Sequence, residues 1–199
     1  MFKRNKNFCL FATLPVLALI FFFSPFFNST AFATATGGDD VYYIYNGEDW
    51  DLVHIFTASA VFDTSEDMVC EILVVGGGGG SGHSNSGGGG GGGVQQKKIL
   101  VPAGTYIVTI GEGGAPGLTG YKRGENGGDS SFGNLLISAG GGAGAGEANG
   151  ATATTGGSGG GGNGYTNFDG APGIDGQGHE GGNGERSGGD YYASGGGGG

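Results

Sequence analysis

The stretch "EILVVGGGGGSG", Glu71 to Gly82, runs an apolar segment straight into Gly-x-Gly-x-x-Gly. After a strand, that order of residues can cradle a dinucleotide pyrophosphate, provided the glycines open a helix whose N–H groups hold the phosphates. Here "GGGGGSGHSNSGGGGGGGV" follows, and such glycine density does not sustain a helix. No Lys-Ser or Lys-Thr follows the glycines, so a P-loop fails as well. The three histidines, His54, His83 and His179, lie far apart without metal-ligand spacing. His54 sits in a strand pattern as a satisfied strand residue, and the other two sit in glycine loops without rigid support. "GENGGDSS" and "GGNGERSGGDYY" come nearest to a calcium-binding glycine–aspartate repeat, but Asp129 and Asp190 lack its spacing and neither unit recurs. No catalytic residue, metal ligand or cofactor is assigned, and the chain is expected not to be an enzyme.

Aromatic residues within the glycine segments are the remaining candidates. "GYTNFDG" places Tyr165 and Phe168 three apart, and "DYYAS" supplies Tyr191 and Tyr192. At loop tips these rings would be stacking platforms for a glycan or protein ligand; packed down, they would anchor the glycine segments. Anchoring is the favoured reading, and ligand contact stays open.

The elements that must carry these residues divide at Gly76. Only Gly37, Gly38 and Gly47 of the 53 glycines precede it, so 50 of the 124 residues from Gly76 onward are glycine. Before that point "VYYIYN", "LVHIFTASAVF" and "MVCEILVV" read as three short strands separated by "GEDWD" and "DTSED". "VQQKKILVPAGTYIVTI" reads as two more, joined as a hairpin at Pro102-Ala103-Gly104. In the second of these Tyr106, Val108 and Ile110 share one face, and Thr105, Ile107 and Thr109 the other. "FGNLLISA" is a last strand-like run. No α-helix is expected outside the N-terminal segment.

The glycines keep time. Gly111, Gly114, Gly117 and Gly120 recur every third residue, as do Gly156, Gly159 and Gly162; Gly170, Gly173 and Gly176 give way by a two-residue step to Gly178, Gly181 and Gly184. A period of three fits a polyproline-II-like helix, and the broken phase with only five prolines excludes collagen. Such helices make no internal hydrogen bonds, so they are ordered only as a laterally bonded bundle or docked on the β part. Flexible solvated linker is the other reading of the same composition.

Residues 1–33 read as a secretory signal: Lys3, Arg4 and Lys6 precede an apolar run from Phe8 to Phe27, and Ala31-Phe32-Ala33 offers a cleavage site. Pro15, Pro25 and that site favour cleavage over a retained anchor, so no stable membrane insertion is expected afterwards, and the product is secreted or at the cell surface. Removal takes three of the eight basic residues and none of the 18 acids, leaving five against 18, a net charge of −13. A nucleic-acid partner is therefore excluded, because a phosphate backbone would repel the chain. Cys9 leaves with the signal, so Cys70 has no intrachain partner and is either a small buried strand residue or a link to another chain.

Taken in order, "HIFTASAVF", "EILVVGGGGGSG", "VPAGTYIVTIGEGG", "GENGGDSSFGNLLISAGGGAG" and "DYYASGGGGG" resemble the glycine-rich domain of bacterial surface and secreted proteins. The pattern is similar to glycine-rich regions of phage tail adhesins and, more distantly, of anaplastic lymphoma kinase-type receptors. The resemblance covers residues 52 to 199. It implies a mainly β fold: a small antiparallel β-structure (52–75, 94–110 and 132–139) whose glycine segments (76–93, 111–131 and 140–199) form packed polyglycine-II-like helices. Residues 34–51 are a lead-in. Gly76, Gly77, Gly111, Gly114, Gly117, Gly120, Phe132 and Gly133 are the expected structural positions.

Two features depart from the family pattern: "DTSEDMVC" stands where Pro-Gly is usual, and the sequence stops within glycines at Gly199, which reads as truncation before a closing strand. The expected function is a non-catalytic secreted or surface module, structural or adhesive, presenting loop tips to an extracellular ligand. The alternative is ice binding, because "GAPGIDGQGHEGGNG" resembles springtail glycine-rich antifreeze sequences; those have disulfide staples and long in-phase repeats that this chain lacks.

Overall fold

In a computed structural model, residues 34–48, 50–149, 151–166, 169–187 and 190–192 are described. The fold is mainly β with antiparallel sheets, and no helix occurs among the described residues. The strands are β1 (Ala35–Thr36), β2 (Asp40–Tyr45), β3 (Trp50–Ile55), β4 (Ala60–Thr64), β5 (Met68–Val75), β6 (Val94–Val101), β7 (Gly104–Thr109), β8 (Ser130–Phe132), β9 (Leu136–Ser138), β10 (Glu185–Ser187) and β11 (Asp190–Tyr192).

One five-stranded sheet, ordered β1-β4-β7-β8-β9, faces the two-stranded β5–β6 ribbon. Period-two alternation explains the pairing: Met68, Cys70, Ile72 and Val74 of β5 turn inward, while Val69, Glu71, Leu73 and Val75 turn out. Phe62, Val74, Val101, Val108, Phe132 and Leu136 form the core between the layers. Phe132 is its hub, stacked on Tyr106 at 5.1 Å and set edge-on to Phe62 at 5.4 Å.

Four sequence expectations change here. The Pro102-Ala103-Gly104 corner is not a hairpin: β6 pairs with β5, and β7 pairs with β4 and β8, so the chain crosses from one layer to the other. Both strands carry an apolar face, Ile99 and Val101 on one and Tyr106 and Val108 on the other. These faces bury each other across the core, which two partners in one sheet could not do. Asp67 fixes the corner by accepting the Ala103 N–H at 2.8 Å. "LVHIFTASAVF" is two strands, β3 and β4, broken by a bend at residues 57–58. "FGNLLISA" falls in a tight β8–β9 hairpin, turned by Gly133 at φ 52°. The lead-in supplies β1, an edge strand of the main sheet.

From Gly76 the chain leaves the sandwich along 76–83, 111–117, 140–146, 156–163 and 178–184, and returns along 87–93, 123–128, 151–155 and 170–174. Every third residue of a segment bonds the same neighbour. Gly76, Gly79 and Gly82 donate to the carbonyls of Gly93, Gly90 and Gly87; Gly77, Gly80 and His83 donate to Gly128, Glu125 and Lys122; Gly78 and Ser81 accept from Gly114 and Gly117. Gly77 and Gly80 also accept from Gly141 and Gly144, so one segment serves four neighbours, and the backbone groups that a helix or sheet would pair are paired laterally. Segments 140–146 and 156–163 are buried along their whole length, forming a second core of backbone and small side chains.

Most of these glycines have negative φ, so conformational freedom does not explain them. Crowding does. A Cβ on Gly76 or Gly77 would overlap the carbonyl oxygen of Ala139 or Glu112; on Gly111, Gly114 or Gly117 it would overlap that of Gly128, Glu125 or Lys122. Gly120 differs: it has open space around it and φ 67°, so it is needed for the turn.

The motif Gly127-Gly128-Asp129-Ser130-Ser131-Phe132-Gly133 joins the two cores. Asp129 accepts the Gly140 N–H at 2.8 Å, Ser130 accepts that of Gly111 at 2.9 Å, and Phe132 enters the sandwich.

Candidate functional site

Because outgoing segments run parallel, their turns collect at the end of the bundle away from the sandwich. The turns are 84–86, 118–122, 147–149 and the described part of 164–169. They are tied to one another. His83 donates its N–H to the Lys122 carbonyl, Ala148 donates to Tyr121, Thr166 donates its hydroxyl to the Glu147 carbonyl, and the Asn163 amide donates to Gly146. Asn163 is fully buried and also accepts the N–H groups of Tyr165 and Thr166, each at 2.8 Å, holding the last turn in shape.

Of the four aromatic candidates, Tyr165 lies in this surface, 41% exposed. Tyr191 and Tyr192 fall on β11, whose partner β10 begins where the last outgoing segment ends, beside Asn163. Phe168 lies outside the described residues.

Sequence reasoning passed over Tyr121 and Leu118 and set His83 aside as lacking support. Tyr121 stands at φ 60°, a left-handed conformation uncommon for a large residue, with its ring edge-on to His83 at 5.7 Å. It is about half exposed, and Leu118 more so. His83 is thus clamped in the tip, although its sequence context suggested no rigid support. The signal that could have found this turn is "GLTGYKRG", which carries two of the five basic residues left after the N-terminal 33. Lys122 and Arg123 open onto a groove of about 590 Å³ walled by Glu125, Asn126, Asn149 and Thr154. The tip therefore sets exposed aromatic and apolar surface beside two cations, Lys122 and Arg123, with Glu125 across the groove from them.

The other singled-out side chains lie elsewhere. His54 places Nδ1 2.6 Å from the Gly37 carbonyl and its ring edge-on to Phe62, while Nε2 is buried without a protein partner, so only half of its polar capacity is met. Cys70 is a free, half-buried thiol on the inner side of β5, and burial pushes its pKa up. Asp39 is held below the ordinary carboxylate range, first by the Thr57 hydroxyl, with the Thr57 and Ala58 N–H groups adding to it. Among the described residues no group of three or more His, Cys, Asp or Glu is placed to hold a metal ion. Nor is any helix among them long and apolar enough to cross a membrane.

A family model described as a glycine-rich domain matches residues 57–199. The chain belongs to that family. No curated protein and no solved structure matches it.

Proposed function

We propose that this glycine-rich domain protein is an exported, non-catalytic adhesive module. In this reading the sandwich is a base, the glycine segments are packed polyglycine-II helices, and the joined turns at their far end contact an extracellular glycan or protein. The observation that carries the reading is the parallel course of the outgoing segments, which delivers all the turns to one surface. The three-residue hydrogen-bond period supports polyglycine II, since that helix has three residues per turn and bonds only to neighbours. A laterally bonded bundle is stiff enough to present loops without a large apolar core, which suits a binding surface carried on a scaffold.

Tyr121, Leu118 and Tyr165 would make the stacking contacts, with Lys122 and Arg123 favouring an acidic ligand. The test is binding of the secreted protein to immobilised glycans and extracellular proteins. A Tyr121→Ala/Tyr165→Ala double variant is expected to lose binding about tenfold or more, as removing about 1.4 kcal/mol or more of contact requires. An Ile107→Ser control on the outer sheet face should bind normally. Binding untouched by the tip variant refutes the assignment, and clear thermal hysteresis would favour the ice-binding alternative instead. N-terminal sequencing of secreted protein is expected to begin at Thr34; an intact N-terminus would refute cleavage.

A further inference from the structure

The β2–β3 hairpin lies outside the residues matched by the family model and is a separate two-stranded sheet, touching the sandwich through the His54 ring against Phe62. Its strands pair with each other from Asp40↔Ile55 to Tyr45↔Trp50, and among the described residues no further strand pairs with either outer edge. All six residues of β2 are exposed. Direct cross-strand partners share a face, which puts Val41, Tyr43, Tyr45, Trp50 and Leu52 on one side and Tyr42 and Ile44 on the other. These are large apolar groups between 41% and 61% exposed, on both faces of one ribbon.

An isolated pair of strands is marginal in water, and a patch of this size on a monomer marks an interaction site. On the larger face the Tyr43, Tyr45 and Trp50 rings alone offer roughly 300 Å² at about half exposure. The hairpin is nevertheless pre-shaped. Asn46 donates to Asp51 at 2.8 Å and accepts the Glu48 N–H at 3.0 Å, Tyr45 donates to the Gly47 carbonyl, and Asp39 clamps the base through Thr57 and Ala58.

Charge decides what would cover it. Between Asp39 and Ile55 the sequence has five carboxylates and no lysine or arginine. A second copy would set like charges against each other, whereas a cationic segment would be drawn in.

We propose that the β2–β3 hairpin is a docking ribbon for an extended basic polypeptide, in which Lys or Arg alternates with apolar residues and which adds as a strand to an open edge. Backbone pairing would supply affinity, the aromatic face would take the apolar side chains, and Asp40, Glu48 and Asp51 would select for positive charge.

Trp50 is the only tryptophan in the chain, so tryptophan emission, excited at the red edge where the eight tyrosines do not absorb, reports on this ribbon alone. The secreted protein is titrated with the acetylated, amidated octapeptides (Lys-Val)₄ and (Glu-Val)₄. The basic peptide is expected to shift Trp50 emission saturably, at least about tenfold more tightly than the acidic one, with a preference that shrinks in 1 M NaCl as screening requires. Asp40→Asn/Glu48→Gln should weaken basic-peptide binding about fivefold or more with circular dichroism unchanged, and Tyr43→Ser should weaken it independently of salt. Absence of binding, equal binding of the two peptides, a shift produced by maltohexaose instead, or a micromolar self-dimer that blues Trp50 would each overturn the proposal. Tip variants Tyr121→Ala/Tyr165→Ala leave this titration unchanged, so it stands or falls apart from the adhesive reading.

Discussion

Adjacent glycines in the first outgoing segment should respond oppositely to the same substitution. A methyl at Gly78 points to solvent, with nothing nearer than the Gly90 oxygen at 3.9 Å, and the residue has negative φ. Gly78→Ala should therefore be neutral or stabilising by about 0.4–1 kcal/mol, because alanine restricts the unfolded chain. At Gly79 the methyl would sit on the Gly142 carbonyl oxygen, inside the 3.0 Å limit that real Cβ atoms respect. The backbones must part, which opens the Gly79-to-Gly90 bond at 2.9 Å and the Gly90-to-Gly142 bond at 2.8 Å. Gly90 and Gly142 are buried, so water does not replace those partners. That leaves the Gly90 N–H, the Gly90 carbonyl and the Gly142 carbonyl unmet, and at about 1–3 kcal/mol for each Gly79→Ala should cost roughly 3–9 kcal/mol. Such a cost is a large share of a domain's usual stability of about 5–15 kcal/mol. The assay is urea unfolding followed by circular dichroism, with melting temperature as a second measure. If the two variants agree within about 0.5 kcal/mol, the ordinary scatter of surface substitutions, the packed-segment argument fails.

Other consequences can be checked in the same preparations. Phe132→Ala removes the ring between Tyr106 and Phe62 and should destabilise by about 3–5 kcal/mol; a loss under about 1 kcal/mol in urea would show that Phe132 is not the hub of the sandwich. Because its folded pKa is depressed, Asp39 contributes its clamp above the ordinary carboxylate pKa and loses it as pH falls through the lower folded value. The protection of the Thr57 and Ala58 amides, taken as the ratio of intrinsic to observed exchange rate at each pH, should therefore fall below about pH 4, and protection that falls on alkaline titration instead would reverse the sign. The raised pKa and partial burial of Cys70 predict slow reaction with a thiol reagent at pH 8 in the native state and fast reaction in denaturant. They also predict a monomer on non-reducing gels, and equal native and denatured rates would contradict the placement.

What was legible from sequence was local. Period-two alternation in "MVCEILVV" and "GTYIVT" fixed which side chains turn inward, because a strand's faces alternate whatever it pairs with. The period of three in Gly111, Gly114 and Gly117 marked the residues that face neighbouring backbones, for the same kind of reason: every third residue of these segments returns to the same neighbour. The glycine density also excluded a helix after Val75, so "EILVVGGGGGSG" was readable as a junction.

Partners were not legible. Pro102-Ala103-Gly104 has the chemistry of a hairpin, yet its strands enter different layers, since only the whole core decides which apolar faces must meet. Tyr121 and His83, 38 residues apart in sequence, become neighbours through the Lys122 carbonyl that accepts the His83 N–H. The sequence by itself determined that these glycine segments could order only by bonding sideways or by docking on the β part, because their backbone groups have no partner within the segment. Which segments bond, in which direction, and hence that the turns share one surface, depends on contacts between residues far apart in the chain, and those exist only once the tertiary structure has formed.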